Sequence, residues 1–342
     1  MKKSYFFIAI PFILLGFAIY FVSQIAKFAG TGIYHSKCFD ATKIQNIVAN
    51  SDEDVSKSCI FLVEKGHGIN TILAKLKKQG YKIKLGSAPK IYLKLKFQGK
   101  QLNYGEYLIT RRDTILSFLH KVHKGKGVVR YITFVEGETA STYQAQINKA
   151  YGLAGELTTD IPEGYAMPNT YNYIYGETKN AIAARIVKSM NDYIDTLEGK
   201  IKQSDYLKNK EDLIIMASII EKEAANEAEK PIIASVFKNR ILKGMKLQTD
   251  PSVIYEITRG KYKLDRRLTK ADLLNGNTYN TYKIKGLPAG PIANPSKSSI
   301  DAALNPANTD FLFFVLKPSL GLHVFSKDYR QHQQNAKEYQ AS

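Results

Sequence analysis

The sequence predicts an α+β protein in three parts: an apolar N-terminal helix, a small module of short mixed elements, and a larger α+β unit built on one buried helix. Three observations predict it. Lys2 and Lys3 precede a run from Tyr5 to Ile25 that carries no charge. Short strand-like and helix-like stretches punctuated by glycine fill residues 58–127. Further on, every residue from Leu213 to Ile220 is apolar except Ser218, and Glu221 and Glu223 follow at once.

The first run is long enough to span a bilayer and longer than the apolar core of an ordinary signal peptide. The positive-inside rule then puts the short N-terminus in the cytoplasm and everything after Lys27 outside. A cleaved signal peptide is the second reading, and under both the body of the protein is exported. The expected segments are therefore a cytoplasmic tip and membrane helix over 1–27, with 4–25 in the bilayer, and a polar spacer over 28–57. Cys38 and Cys59 are the two cysteines; in an oxidising compartment they form one bridge or stay as two thiols. At 342 residues and a formal charge of +18, the chain has room for two cores and invites an anionic partner. The lysines are scattered, with no dense basic tract and no nucleic-acid motif, so the charge points to an anionic envelope polymer or membrane leaflet and not to nucleic acid.

In the small module, Ile60–Val63 reads as a strand, and Asn70 caps a helix over Thr71–Gln79. Ile91–Phe97 alternates apolar and polar and reads as a strand with one wet face. A strand at Gly105–Ile109 and a helix over Asp113–Lys121 complete it. His120 and His123 have metal-ligand spacing on that helix, but no third ligand is nearby and lysines flank them, so no metal site is expected. Ser87 and Lys90 match the Ser-x-x-Lys spacing of acyl-transfer enzymes, but no partner motif exists and Pro89 stands between them.

From Val128 to residue 342 the larger unit opens with a strand to Phe134 and a helix that Ser141 caps. A loop dense in Pro, Gly and Tyr follows over Ile161–Tyr171, of the composition that lines sugar sites. The amphipathic helix Ala181–Leu197 leads to the apolar helix of Glu211–Ala224. Pro231 opens a helix that Gly244 closes, and Asp250 caps another that Pro251 opens. The glycines and prolines of Gly286–Pro295 suit a rigid loop that holds side chains against a ligand. A helix over Ser299–Leu304, strands over Phe311–Leu316 and His323–Phe325, and a polar helix from Lys327 close the chain. At about 100° per residue, Glu223 falls between Ile219 and Met216, and Glu221 between Ala217 and Ile214. Both carboxylates continue an apolar stripe, where desolvation makes a glutamic acid a proton donor near neutral pH. Helical geometry does not choose between them.

These residues together resemble the endolytic murein transglycosylases, membrane-anchored enzymes that cut peptidoglycan glycan strands. The likeness rests on Ala217–Glu223, Leu247–Tyr255, Tyr279–Tyr282, Gly286–Pro288, Gly290–Ile292, Ala303–Ala307, the Phe313–Val315 strand and the ending His323, Phe325, Ser326 and His332. The module over 58–127 resembles that family's LysM-like domain, which makes 128–342 the catalytic domain. The resemblance implies that Glu223, the second glutamate of Glu-Lys-Glu, is the catalytic acid. It places Glu163, Tyr165, Glu221, Gln248, Thr249, Asp250, Tyr279, Asn280 and Thr281 in substrate contact. Met167 stands where the family has an aromatic residue, and Asn169 where it has Asp. The implied reaction cleaves the bond from N-acetylmuramic acid to N-acetylglucosamine without water, leaving a 1,6-anhydro end. It implies no metal or organic cofactor. It also implies association with penicillin-binding synthases and a role in ending strand elongation. The alternative is a membrane-tethered peptidoglycan-binding protein with no activity.

Overall fold

The structure, a computed structural model, describes residues 4–33, 59–81, 83 and 86–340, with backbone alone for 4–13 and 339–340. The chain forms two compact units. The first extends to Tyr131 and takes in Tyr151–Ala154 and Asn172–Glu177; the second holds Ile132–Ala150, Gly155–Tyr171 and everything from Thr178.

The first unit opens with helix α1 (Ser4–Ala29). Leu14, Leu15, Phe17, Ile19, Tyr20 and Val22 on it are exposed. Among the described residues, which for the side chains of α1 begin at Leu14, no helix is long and apolar enough to cross a membrane. Strand β1 (Cys59–Val63), helices α2 (Ile69–Lys78) and α3 (Ser87–Phe97), strand β2 (Gly105–Ile109) and helix α4 (Ile115–His123) follow. β1 and β2 pair antiparallel, Cys59 opposite Ile109 and Val63 opposite Gly105. Phe118 of α4 meets Phe61 and Tyr107 edge-on at centroid distances of 5.4 and 6.3 Å. Thr114 caps α4 through the Ser117 N–H, and Ser117 returns the bond.

Three expectations change in this unit. Ile91–Phe97 is the second half of a helix, not a strand. Pro89, Leu93 and Phe97 are buried at a spacing of four, while Ile91 and Leu95 are exposed. The alternation of Leu with Lys mimics a strand, but both residues are strong helix formers. Pro89 sits in the first turn, where its missing N–H costs nothing, so it does not break the helix. The start of the expected spacer is not loose: Phe28 and Ile33 belong to this core, and the Ile33 N–H donates to Asp113 O at 2.9 Å. Residues 34–58, with Cys38, lie outside the described residues; Cys59 is disulfide-bonded. Among the described residues no three His, Cys, Asp or Glu gather as a metal site, and His123 Nδ1 lies 2.9 Å from Gln101 O.

Strand β3 (Val129–Phe134) pairs with β4 (Asn169–Ile174), and the chain passes between units within each. The second unit then contains α5 (Ala140–Lys149), α6 (Lys179–Asp195), α7 (Glu198–Ile201), α8 (Lys210–Glu223), α9 (Lys230–Leu242), α10 (Asp250–Thr258), α11 (Lys270–Leu274), α12 (Lys297–Leu304), strands β5 (Phe313–Lys317) and β6 (Leu322–Ser326), and α13 (Tyr329–Gln340). β5 and β6 form an antiparallel hairpin, Phe313 opposite Ser326.

α8 is the axis of this unit. The Asn209 side chain accepts from the Asp212 N–H at 2.8 Å, and Glu211 and Asp212 occupy the first turn, where acidic groups suit the helix dipole. Leu213–Ile220 are all buried, packed by α7, α9, α10 and α12. Ser218 donates to Ile215 O and accepts the Ile292 N–H at 3.1 Å, so its hydroxyl is satisfied inside the core. That second bond pins the Gly286–Pro295 loop to α8. The loop therefore serves packing: Ile292, Ala293 and Asn294 are buried, and Asn294 Oδ1 accepts the Ala166 N–H while its Nδ2 donates to Glu138 O.

Candidate active site

Two residues apart on α8, Glu221 and Glu223 have opposite surroundings. The Glu221 side chain is 7% exposed and saturated. It accepts from the Ser296 N–H at 2.8 Å, the Ser299 hydroxyl at 2.7 Å, the Ser296 hydroxyl, and Lys230 Nζ at 3.3 Å. Lys230 is itself buried and also donates to Glu227 and Ser298. Glu221 thus ties α8 to α9 and the start of α12, and it does not line the cavity described next. The expectation that it touches substrate is corrected, because its lone pairs are already taken by donors within the protein.

Glu223 is half-buried and accepts no hydrogen bond from any described residue. Burial pushes its carboxyl up to about 8, with a contribution from the Asp250 carboxylate that the Arg240 guanidinium only partly offsets. It lines a cavity of about 450 Å³ together with Arg240, Gln248, Asp250, Tyr282, Phe314 and His323. Phe313, Tyr329 and His332 give the same cavity aromatic walls.

Arg240 on α9 shapes one wall. Its Nε donates to Leu312 O and its Nη1 to Leu247 O, each at 2.7 Å, and its guanidinium lies 5.1 Å from the Phe313 ring centroid. Asp250 accepts the Tyr282 hydroxyl at 2.7 Å. Gln248 takes a left-handed φ of 53°, and its N–H donates to Thr281 O.

The remaining expected contact residues are built into the framework. Thr281 Oγ1 accepts the Thr249 N–H at 2.9 Å and bonds Ser252 at 2.8 Å. Asn280 donates to the carbonyls of Asp272, Leu273 and Asn275 and accepts the Tyr282 N–H. Asn280, Thr281 and Thr249 are buried and do not line the cavity; they fix the backbone that carries Gln248, Asp250 and Tyr282. Thr249 Oγ1 is buried without a partner among the described residues. Tyr279 packs on Tyr255 and beneath Arg259, again outside the cavity.

Glu163 accepts the Ala140 N–H at 2.9 Å and the Tyr255 hydroxyl at 3.3 Å, joining the start of α5 to α10. Burial raises its carboxyl in spite of these bonds. Tyr165 packs against the α8 core. Of the departures in this loop, Met167 is a core residue and Asn169 is exposed, with Oδ1 on the Thr170 N–H. Between Glu163 and Tyr165, Gly164 has a φ of +80°, and a Cβ there would lie 2.6 Å from Pro291 and 2.8 Å from Ile214. Gly164→Ala is therefore expected to destabilise the second unit by about 3 kcal/mol, through strain and overpacking together. Thermal melting checks it; an unchanged melting temperature would mean the loop moves aside freely.

The cavity thus unites Glu223, Gln248 and Asp250 from the sequence expectation, and it adds Arg240, Tyr282, His323 and His332. The histidines have a sequence signal in the closing motif; Arg240 has none, since an arginine within a helix reads as surface.

Comparison with known proteins agrees with these motifs. The YceG-like family matches residues 61–338. An endolytic murein transglycosylase of Bacillus subtilis is 44% identical over 181 residues, which cover 53% of this chain and 48% of that protein. One of Streptococcus pneumoniae is 29% identical over 180 residues, covering 52% of this chain and 32% of that protein. The chain's match thus spans about half or less of the length of these relatives. A crystal structure of a YceG-like protein from Listeria monocytogenes superposes with a TM-score of 0.51 and 27% identity, covering 81% of this chain and 99% of that one.

Proposed function

The chain belongs to the YceG-like family, and we propose that it is a lytic transglycosylase that cuts within peptidoglycan glycan strands. The single observation that supports this most is the Glu223 carboxyl, unpaired in a cavity and raised to about 8, hence mostly protonated at neutral pH. In the reaction, Glu223 gives its proton to the glycosidic oxygen of N-acetylglucosamine as the bond to muramyl C1 breaks. Positive charge develops on the muramyl ring, close to the Asp250 carboxylate. The Glu223 carboxylate then takes the proton of the muramyl 6-hydroxyl as that oxygen closes onto C1. A 1,6-anhydro end results, and Glu223 is protonated again. No water enters, so one carboxyl group serves both steps and the second carboxylate of a hydrolase is not needed.

The rest of the reading completes this one. Residues 4–25 anchor the protein in the cytoplasmic membrane with the N-terminus inside, and everything after Lys27 lies outside. The module over 58–127, LysM-like by its sequence resemblance, holds the glycan strand. Cutting near the membrane would end the elongation of nascent strands beside penicillin-binding synthases.

The acid must be protonated to start, so kcat/KM is expected to fall about tenfold per pH unit above about pH 8. A pH–rate profile on glycan strands checks this. Activity still rising at pH 9 would remove Glu223 as the proton donor.

A further inference from the structure

His323 is the second residue of β6 and forms part of the cavity wall that Glu223 also lines. Its side chain is only 9% exposed, and its Nδ1 lies 2.8 Å from Glu229 Oε2. Glu229 is buried as well, and its Oε1 accepts the His323 backbone N–H at 2.7 Å. Burial alone would raise the Glu229 carboxyl, but the two bonds from His323 and one from the Ala225 N–H hold it below the usual range. An ionised carboxylate can only accept, so Nδ1 carries the proton. That leaves Nε2 as the ring nitrogen with no hydrogen-bond partner among the described residues. Phe314 meets the ring edge-on at 5.2 Å, and the carboxylate clamp and this contact together fix its orientation.

A largely buried imidazole clamped through Nδ1 by a carboxylate, with Nε2 left for a molecule in the adjoining cavity, is a fixed hydrogen-bonding group in that wall. Nε2 is not among the side-chain atoms sealed in the interior without a partner, so a polar group that enters the cavity can meet it. We propose that His323 is a substrate-binding residue whose Nε2 forms a hydrogen bond with a sugar hydroxyl in the Glu223 cavity, and that Glu229 is the positioning residue that holds it there. The ligand class rests on the function proposed above, because sugar hydroxyls are abundant and can donate to or accept from an imidazole nitrogen. The neighbouring Phe313, Phe314 and Tyr329 offer the apolar faces a pyranose ring needs. Since the His323 backbone N–H holds Glu229 independently of the ring, side-chain replacement leaves the start of β6 tied.

The test uses the full chain in detergent: wild type, His323→Leu, His323→Gln and Glu229→Gln. It measures kcat, KM and melting temperature, and it measures glycan-strand affinity with each change placed in a Glu223→Gln background. His323→Leu is expected to lose about 10- to 100-fold in kcat/KM and to weaken strand binding. His323→Gln, whose amide oxygen reaches near the place of Nε2, is expected to recover most of that loss. Glu229→Gln is expected to cost about tenfold, less than His323→Leu, since the ring is loosened but present. Leu and wild type cleaving and binding alike would overturn the proposal. So would Leu and Gln variants equally impaired in proportion to their melting temperatures, which is the pattern of a purely structural residue. If the wild type leaves ends other than anhydro ends, or does not cut, the functional reading fails by itself, and the binding arm still decides whether His323 contacts the sugar.

Discussion

Glu223→Gln is expected to lower glycan-strand cleavage by about 10⁴-fold while leaving strand binding and the fold intact. A single general acid or base contributes roughly 10²–10⁴-fold, and here one group performs both transfers, so the upper end applies. The amide fits the same space and can neither give nor take the proton. The same substitution carries a stability signature that sets Glu223 apart from a structural glutamate. Its carboxyl titrates near 8 when folded, against an ordinary value of 4.5. The folded protein therefore holds a proton that the unfolded chain releases between those values. Wild-type stability falls as pH rises from about 4.5 to about 8, and the Gln variant lacks that loss. Melting temperatures measured at pH 5 and pH 8 are expected to shift in favour of Glu223→Gln as pH rises. A variant that is less stable than wild type by the same margin at both values would mean that the carboxyl is paired.

Glu221→Ala should do the reverse, costing stability first and activity only as a consequence. The change strands the buried Lys230 ammonium with only Glu227, which is largely exposed, as a charged partner. It also removes the acceptor of the Ser296 N–H and the Ser299 hydroxyl. Breaking a buried ion pair from one side costs roughly 3–5 kcal/mol. For a unit of this size that is on the order of 10 °C in melting temperature. Replacing both partners, Glu221→Leu with Lys230→Met, is expected to recover much of the loss, because the uncompensated charge is gone. Calorimetry on the single and double variants checks the pair. A single variant that melts with wild type would show that the network holds nothing together.

The contrast between these two glutamates shows how much was legible beforehand. The apolar run of Leu213–Ile220 announces a buried helix from composition alone, and both glutamates extend its stripe. Which one is free is decided by Ser296 and Ser299, 75 and 78 residues further on, and no local pattern encodes that meeting. For the same reason, Asn280 and Thr281 stand in a conspicuous motif, yet their side chains are taken up by backbone groups of neighbouring segments and, for Thr281, by the Ser252 hydroxyl. Polar residues in a motif mark positions that the fold cannot spare, and they do so equally for ligands and for backbone. The Gly286–Pro295 loop was legible as rigid, but not its partner, α8, which it meets through the Ile292 N–H and Ser218. Arg240, His323 and His332 reach the cavity from α9, β6 and α13, and the packing of α9 on α8 and of α13 on the β5–β6 hairpin is not written in any local pattern. In the first unit, the helix over Ser87–Phe97 was obscured because Leu-Lys alternation satisfies a strand period over a few residues. Burial at Pro89, Leu93 and Phe97 identifies the true one.

The most direct test of the central claim is the chemistry of the new chain ends. Glycan strands incubated with the full-length protein would be analysed by mass spectrometry, wild type beside Glu223→Gln. The account predicts 1,6-anhydro-muramyl ends from the wild type and none from the variant. Reducing ends from the wild type would contradict it, since water and not the muramyl hydroxyl would then be the nucleophile. Anhydro ends at equal rates from both proteins would contradict it as well, by removing Glu223 from the reaction.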